Sequence, residues 1–164
     1  MKCLLIKNDG IGDLVISSGL ISSIARNFSK VDLITCAENK DVAESISGLS
    51  KIIYTSRDSL YVSEEGHIQS ALYDKEQLAD HLNEEYDVVI MLRRFIRRSC
   101  LNLMGQVKAK RKICCFEYTT NFEFNPEMKH ILKDWEQIKP DPKIVHELTY
   151  YKSFLETALG FKPV

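Results

Sequence analysis

No apolar run in this chain approaches the roughly 20 residues needed to cross a bilayer; the longest are residues 3–6, 14–16 and 88–92. The opening stretch between Lys2 and Lys7 is too short to read as a secretory signal, so a cytoplasmic protein is expected. Neither charge is in excess: Lys and Arg number 22, Asp and Glu 23. The resulting pI near 6.4 gives no basis for bulk nucleic-acid binding. A disulfide framework is also missing. Five irregularly spaced cysteines fit reduced thiols. The four histidines show no ligand spacing, and Cys114 and Cys115, adjacent in a strand-like run, must face opposite sides. No metal site is therefore expected. The absence of Gly-Lys-Ser/Thr excludes a Walker-type phosphate loop.

What is present is an ordinary globular composition, 45% hydrophobic and 27% charged over 164 residues, enough for one domain with a substantial core. Short apolar runs at 2–7, 31–36, 51–54, 87–92 and 111–116 suit buried strands. Helical spacing separates them, at 13–28, 39–46, 74–85 and 94–104. On the first helix Leu14, Ile21, Ala25 and Phe28 share a face. Continuous apolar strands alternating with helices predict a parallel sheet covered on both sides, an α/β, Rossmann-like doubly wound domain. In such sheets ligands bind outside the carboxyl ends of the strands, which directs attention to the turns after the first strand and after residues 87–92. Residues 141–164 read as a separate piece, a helix over 141–159 opened by Asp141-Pro142 and closed by Gly160. The main domain then spans 1–140, with 141–164 a crossing helix and the start of a linker.

The first turn is Lys7-Asn8-Asp9-Gly10-Ile11-Gly12-Asp13. Gly10-x-Gly12 after a strand is weak evidence for a dinucleotide site, because the third glycine is absent and position 15 is Val. The turn delivers a carboxylate, Asp13, to a helix N-terminus. Two readings stand: an N-terminal acid stabilised by the helix dipole by about 0.3–1 kcal/mol, or a general base.

A basic residue followed by x-x-x-Ile-Gly-Asp, then Leu14-Val15-Ile16-Ser17-Ser18-Gly19-Leu20-Ile21, resembles the start of glycosyltransferase family 9, which contains the ADP-heptose:lipopolysaccharide heptosyltransferases. The resemblance continues through Phe28 and Val31-Asp32-Leu33-Ile34-Thr35, at Tyr86-Asp87-Val88-Val89-Ile90, through Leu103-Met104-Gly105 and Lys110-Arg111-Lys112-Ile113, and at His146-Glu147 and Ala158-Leu159-Gly160. One departure is visible, since Ser18-Gly19 stands where the family often has Thr/Ser-Pro. The resemblance implies the N-terminal half of a two-domain GT-B enzyme, with Asp13 as catalytic base and Asn8, Gly10, Ile11 and Gly12 lining the acceptor. The implied reaction is inverting and needs no metal or other cofactor. The nucleotide-sugar donor, such as ADP-heptose, would be held mainly by a C-terminal domain supplied in cis or by a partner chain. Such a protein would work in the cytoplasm at the inner face of the inner membrane, with at most peripheral membrane contact.

A second feature supports an anionic acceptor. Residues 88–116 hold eight Lys and Arg and no acid. Arg93, Arg94, Arg97 and Arg98 would form one ridge if helical, suited to phosphate or carboxylate on an anionic glycan or glycolipid. The competing reading is a solvated helix face. At the level of function, the alternative is a non-catalytic or partner-dependent binding module. A nucleotide-binding domain, with Glu38 after the second strand as its ribose-binding acid, is a further option.

Overall fold

In the computed structural model, residues 1–55, 82, 84–94, 98–115, 126–141 and 143–160 are described. The expected helix at 74–85 falls almost wholly outside them, as do Arg97 and the linker at 161–164.

The elements are β1 (Lys2–Ile6), α1 (Ile11–Ala25), β2 (Lys30–Cys36), a short 3-10 turn (Ala37–Asn39), α2 (Lys40–Ser45), β3 (Lys51–Thr55), β4 (Tyr86–Met91), α3 (Arg98–Gln106), β5 (Ala109–Cys115), α4 (Pro126–Leu132), β6 (Glu136–Ile138) and α5 (Glu147–Leu159). All six strands pair in parallel, in the order β3-β2-β1-β4-β5-β6. The chain thus builds outward from β1 to β3, then returns to the other side of β1 with β4. That reversal makes the β1/β4 junction the switch point of the sheet. The doubly wound α/β domain expected from the sequence is the fold observed.

Side chains alternate between two cores, as the strand period of two requires. Cys3, Leu5, Leu33, Ile90, Ile113 and Cys115 face α1 and α5. Leu4, Ile6, Ile34, Val89, Met91 and Cys114 face α3. Cys114 and Cys115 do point to opposite sides. All five cysteines are free and buried, and burial pushes the Cys114 thiol up to about 12.

Three elements differ from expectation. β6 was not foreseen, because three residues at a sheet edge carry no apolar pattern. Arg93 and Arg94 lie outside any helix, in the turn after β4, so the four-arginine helical ridge is not formed. Where a helix was expected from Asp141, its carboxylate instead accepts the Lys143 N–H at 2.9 Å and its carbonyl the Ile144 N–H at 3.0 Å, and Pro142 lies outside the described residues. Helix α5 begins only at Glu147 and ends, as expected, on Gly160 in the left-handed conformation at φ 73°.

Candidate functional site at the switch point

The turn after β1 and the turn after β4 lie side by side because the ladder continues past both strands: Lys7 N–H donates to Ile34 O and Leu92 N–H to Ile6 O, each at 2.9 Å. Gly10 then caps α1 with its carbonyl, which accepts the Asp13 and Leu14 N–H groups at 3.1 and 3.2 Å. The Asp13 carboxylate folds back to accept the Gly10 N–H at 3.2 Å. Asp13 is only half-buried, so it is both a helix-end acid and a carboxylate open to a ligand. Its neighbour Gly12 is exposed. A Cβ added there would meet nothing within 4 Å, so no packing among the described residues demands glycine at this place. Ile11, beside it, is 54% exposed.

The rest of the turn is held from every side. Asn8 is buried. Its carbonyl accepts from the Cys36 thiol at 3.2 Å and from Arg93 Nη1 at 3.3 Å, and its Oδ1 accepts from the same Nη1 at 3.2 Å. Asn39 Nδ2, at the end of the 3-10 turn, donates to Asp9 O at 3.0 Å and to Thr35 Oγ1 at 3.1 Å. Arg93 is 8% exposed, so it serves as an internal brace of the turn.

Beneath the turn lies Lys7, whose ammonium is fully buried. It donates to Asp9 Oδ2 at 2.9 Å and to the Tyr151 hydroxyl at 3.2 Å, and sits 3.5 Å from Glu147 Oε1. The same ammonium is 4.6 Å from the centre of the Tyr151 ring. A buried ammonium is tolerable only when carboxylates and hydrogen bonds replace its water. Burial lifts the Asp9 carboxyl above its ordinary range, against the pull of Lys7 and Arg93, and the Asp13 charge adds to the lift. Asp9 Oδ1 and Asn8 Nδ2 are buried without a hydrogen-bond partner. Each such atom carries a desolvation penalty of about 1–3 kcal/mol.

Arg94 is placed differently. Its N–H donates to the Tyr151 hydroxyl at 3.1 Å, its Nη1 donates to Val145 O at 3.2 Å, and its guanidinium stacks 4.5 Å from the Tyr150 ring centre. Arg97 lies outside the described residues, and Arg98 stands at the start of α3. Glu38 is exposed on the 3-10 turn, where the buried residue is Asn39.

The expected residues Asn8, Gly10, Ile11, Gly12, Asp13, Arg93 and Arg94 therefore do gather at the switch point. Asp9, Asn39, Glu147, Tyr150 and Tyr151 were not singled out from the sequence. Tyr151 was legible as a core position by its helical spacing, but spacing does not reveal where a hydroxyl goes. Among the described residues no group of three or more acidic, histidine or cysteine side chains could hold a metal ion. No described helix is long and apolar enough to cross a membrane.

No protein-family model and no curated protein matches the sequence. Solved structures do. The E. coli heptosyltransferase WaaC with ADP matches all of this chain with a TM-score of 0.63 at 12% identity. A family 9 glycosyltransferase from Veillonella parvula matches 99% of it with a TM-score of 0.71 at 11% identity. The fold is that of glycosyltransferases of this kind. The chain spans 48% and 42% of those two structures, about half their length. At such identity the likeness of this glycosyltransferase fold speaks for architecture, and the chemistry must be argued from the side chains.

Proposed function

We propose that the chain is the N-terminal, acceptor-side domain of an inverting, metal-independent glycosyltransferase that adds a sugar to a lipopolysaccharide core or a related anionic glycan. A half-buried carboxylate at the switch point, beside a glycine that no packing among the described residues requires, is the observation that carries this reading. Asp13 Oδ would take the proton of an acceptor hydroxyl as that oxygen bonds to the anomeric carbon of the donor. The bond from that carbon to the nucleoside diphosphate breaks, and the diphosphate leaves with the electron pair. The donor is a nucleotide sugar such as ADP-heptose, held mainly by a C-terminal domain in cis or by a partner chain. Arg94, at the rim, contributes charge for a phosphorylated acceptor. The fold shared with heptosyltransferase structures and the length relation to them support the assignment. Taken alone, the domain is expected to bind acceptor and to turn over little or nothing.

The test is a titration of phosphorylated lipopolysaccharide inner-core oligosaccharide into the wild-type chain and three variants. Saturable binding is expected in wild type, largely kept by Asp13→Asn and weakened by Arg94→Ala. Gly12→Ala is the most telling variant. It should fold as well as wild type, since the new methyl meets nothing among the described residues, yet it should lose most of the binding. Absence of wild-type saturation at millimolar ligand would overturn the assignment.

A further inference from the structure

The Tyr151 hydroxyl accepts two hydrogen bonds, and each comes from a different part of the site. It accepts from the Lys7 ammonium at the end of β1, at 3.2 Å. It accepts from the Arg94 N–H in the turn after β4, at 3.1 Å. Glu147, one turn earlier in α5, sits 3.5 Å from the same Lys7 ammonium. A phenol oxygen has two lone pairs, and these two donors take both. Its ring is fully buried in the α1/α5 core and lies edge-on to Tyr150, which fixes the oxygen in space before either bond is made.

We infer that Tyr151 is a positioning residue: its hydroxyl sets the distance between the Asp13-bearing turn and the Arg94-bearing turn. The two turns belong to neighbouring strands. Beyond the last ladder bond between them, from Leu92 N–H to Ile6 O, the connections that remain are side-chain ones. Arg93 clamps the outer part of the β1 turn through Asn8. Tyr151 clamps its root through Lys7, which in turn holds Asp9 at 2.9 Å. With both lone pairs of the hub taken, neither turn can shift without breaking a hydrogen bond to it, and on the Lys7 side that bond is charge-assisted. This inference rests on the reading above that Asp13 and Arg94 face one acceptor, and it adds the device that sets their spacing.

Tyr151→Phe removes the oxygen and keeps the ring, its packing and its contact with Lys7. Backbone amide exchange followed by NMR on the whole chain reports the consequence without any ligand. Expected is faster exchange at Arg94 and also at Gly10 and Asp13, by about tenfold or more, the factor one lost charge-assisted hydrogen bond supports. Leu5 and Ile90 in the sheet should be unchanged. Tyr86→Phe, the same chemical change at the opposite end of the sheet, should leave all three turn amides alone. Faster exchange confined to Arg94, or spread evenly over the sheet, would overturn the inference, because the hydroxyl would then be a local or merely global support. A parallel oligosaccharide titration separates the two claims. A wild type that binds, with Tyr151→Phe equal to it in affinity and in turn exchange, sinks the positioning role alone. A wild type that does not bind sinks the proposed function, and the exchange data still decide whether Tyr151 couples the turns.

Discussion

The two ends of the sheet carry nearly the same residue types and put them to different use. At the amino end, Lys2, Lys30 and Lys51 converge on Glu84, and Lys110 pairs with Asp87 at 2.8 Å. Those side chains remain 25–69% exposed. At the carboxyl end, the ammonium of Lys7 is fully buried between Asp9 and Glu147, with a tyrosine hydroxyl as its third partner. Water screens the first cluster, so its pairs are individually worth little. The second has exchanged water for fixed partners and leaves two buried polar atoms without any. Residue type alone would not separate a solvated charge cluster from an organised site. Burial does.

The largest effect should come from breaking the buried cluster. Lys7→Met leaves Asp9 and Glu147 facing each other without their shared cation and should lower unfolding free energy in urea by about 3–5 kcal/mol. Lys2→Met, the matched change at the exposed end, should cost under about 1 kcal/mol. Equal effects would erase the distinction between the two ends. Tyr86→Phe sharpens it from the other side. The Tyr86 hydroxyl donates to the fully buried Asp32 carboxylate at 2.9 Å, so the amino end does contain one buried bond. Its loss should cost about 1.5–3 kcal/mol, the range for a hydrogen bond to a charged group.

Acid should act on the two ends in opposite directions. The hydrogen bond from Lys2 leads the causes that hold Glu84 at about 2, below its ordinary 4.5. Its stabilisation is therefore full above pH 4.5 and fades as pH falls from there to about 2. Over that window the stability gap between wild type and Glu84→Gln should close. Asp9 is raised by burial. The folded chain takes up that proton before the unfolded one does, so acidification relieves the penalty of its buried charge. Carboxyl NMR titrations should show Asp9 above and Glu84 below the values of the urea-unfolded chain. The smallest effect belongs to the exposed pair in which Arg111 Nε and Nη2 donate to Glu136 at 2.8 and 2.9 Å. Arg111→Ala should cost at most about 1 kcal/mol and less at high salt.

The sheet was legible because parallel strands buried on both faces must be apolar throughout, and residues 3–6 and 88–92 are. The observed strands agree within a residue or two. β6 was not legible, because an edge strand of three residues needs only backbone pairing. α1 was found, but Ser17 and Ser23, which are not among the apolar residues that marked its face, are also buried. Ser17 can enter the core because its hydroxyl donates to Asp13 O at 2.7 Å, a satisfaction that composition does not show. Asp13 was legible from the glycine turn together with the resemblance. The bracing of that turn was not, since Asn39, Arg93 and Tyr151 are brought to it by three different crossovers. The arginines illustrate the same limit. Helical spacing in sequence suggested one ridge, yet Arg93 and Arg94 stand in a turn, where Arg93 turned inward and Arg94 turned onto Tyr150.

The central place of β1 also shapes how the chain must be made. β1 is translated well before its partner on one side, β4, which begins at Tyr86. At about 5–20 residues per second, roughly 4–16 s of synthesis separate the two. Through that interval the run Cys3-Leu4-Leu5-Ile6 has one open edge, and a long-range parallel pairing is slow to close even once both strands exist. Lys2 and Lys7 bracket the run, and charges in that position hinder pairing between nascent chains. The lysine that ends up sealed beneath the turn after β1 first serves, still hydrated, as a guard on the growing strand.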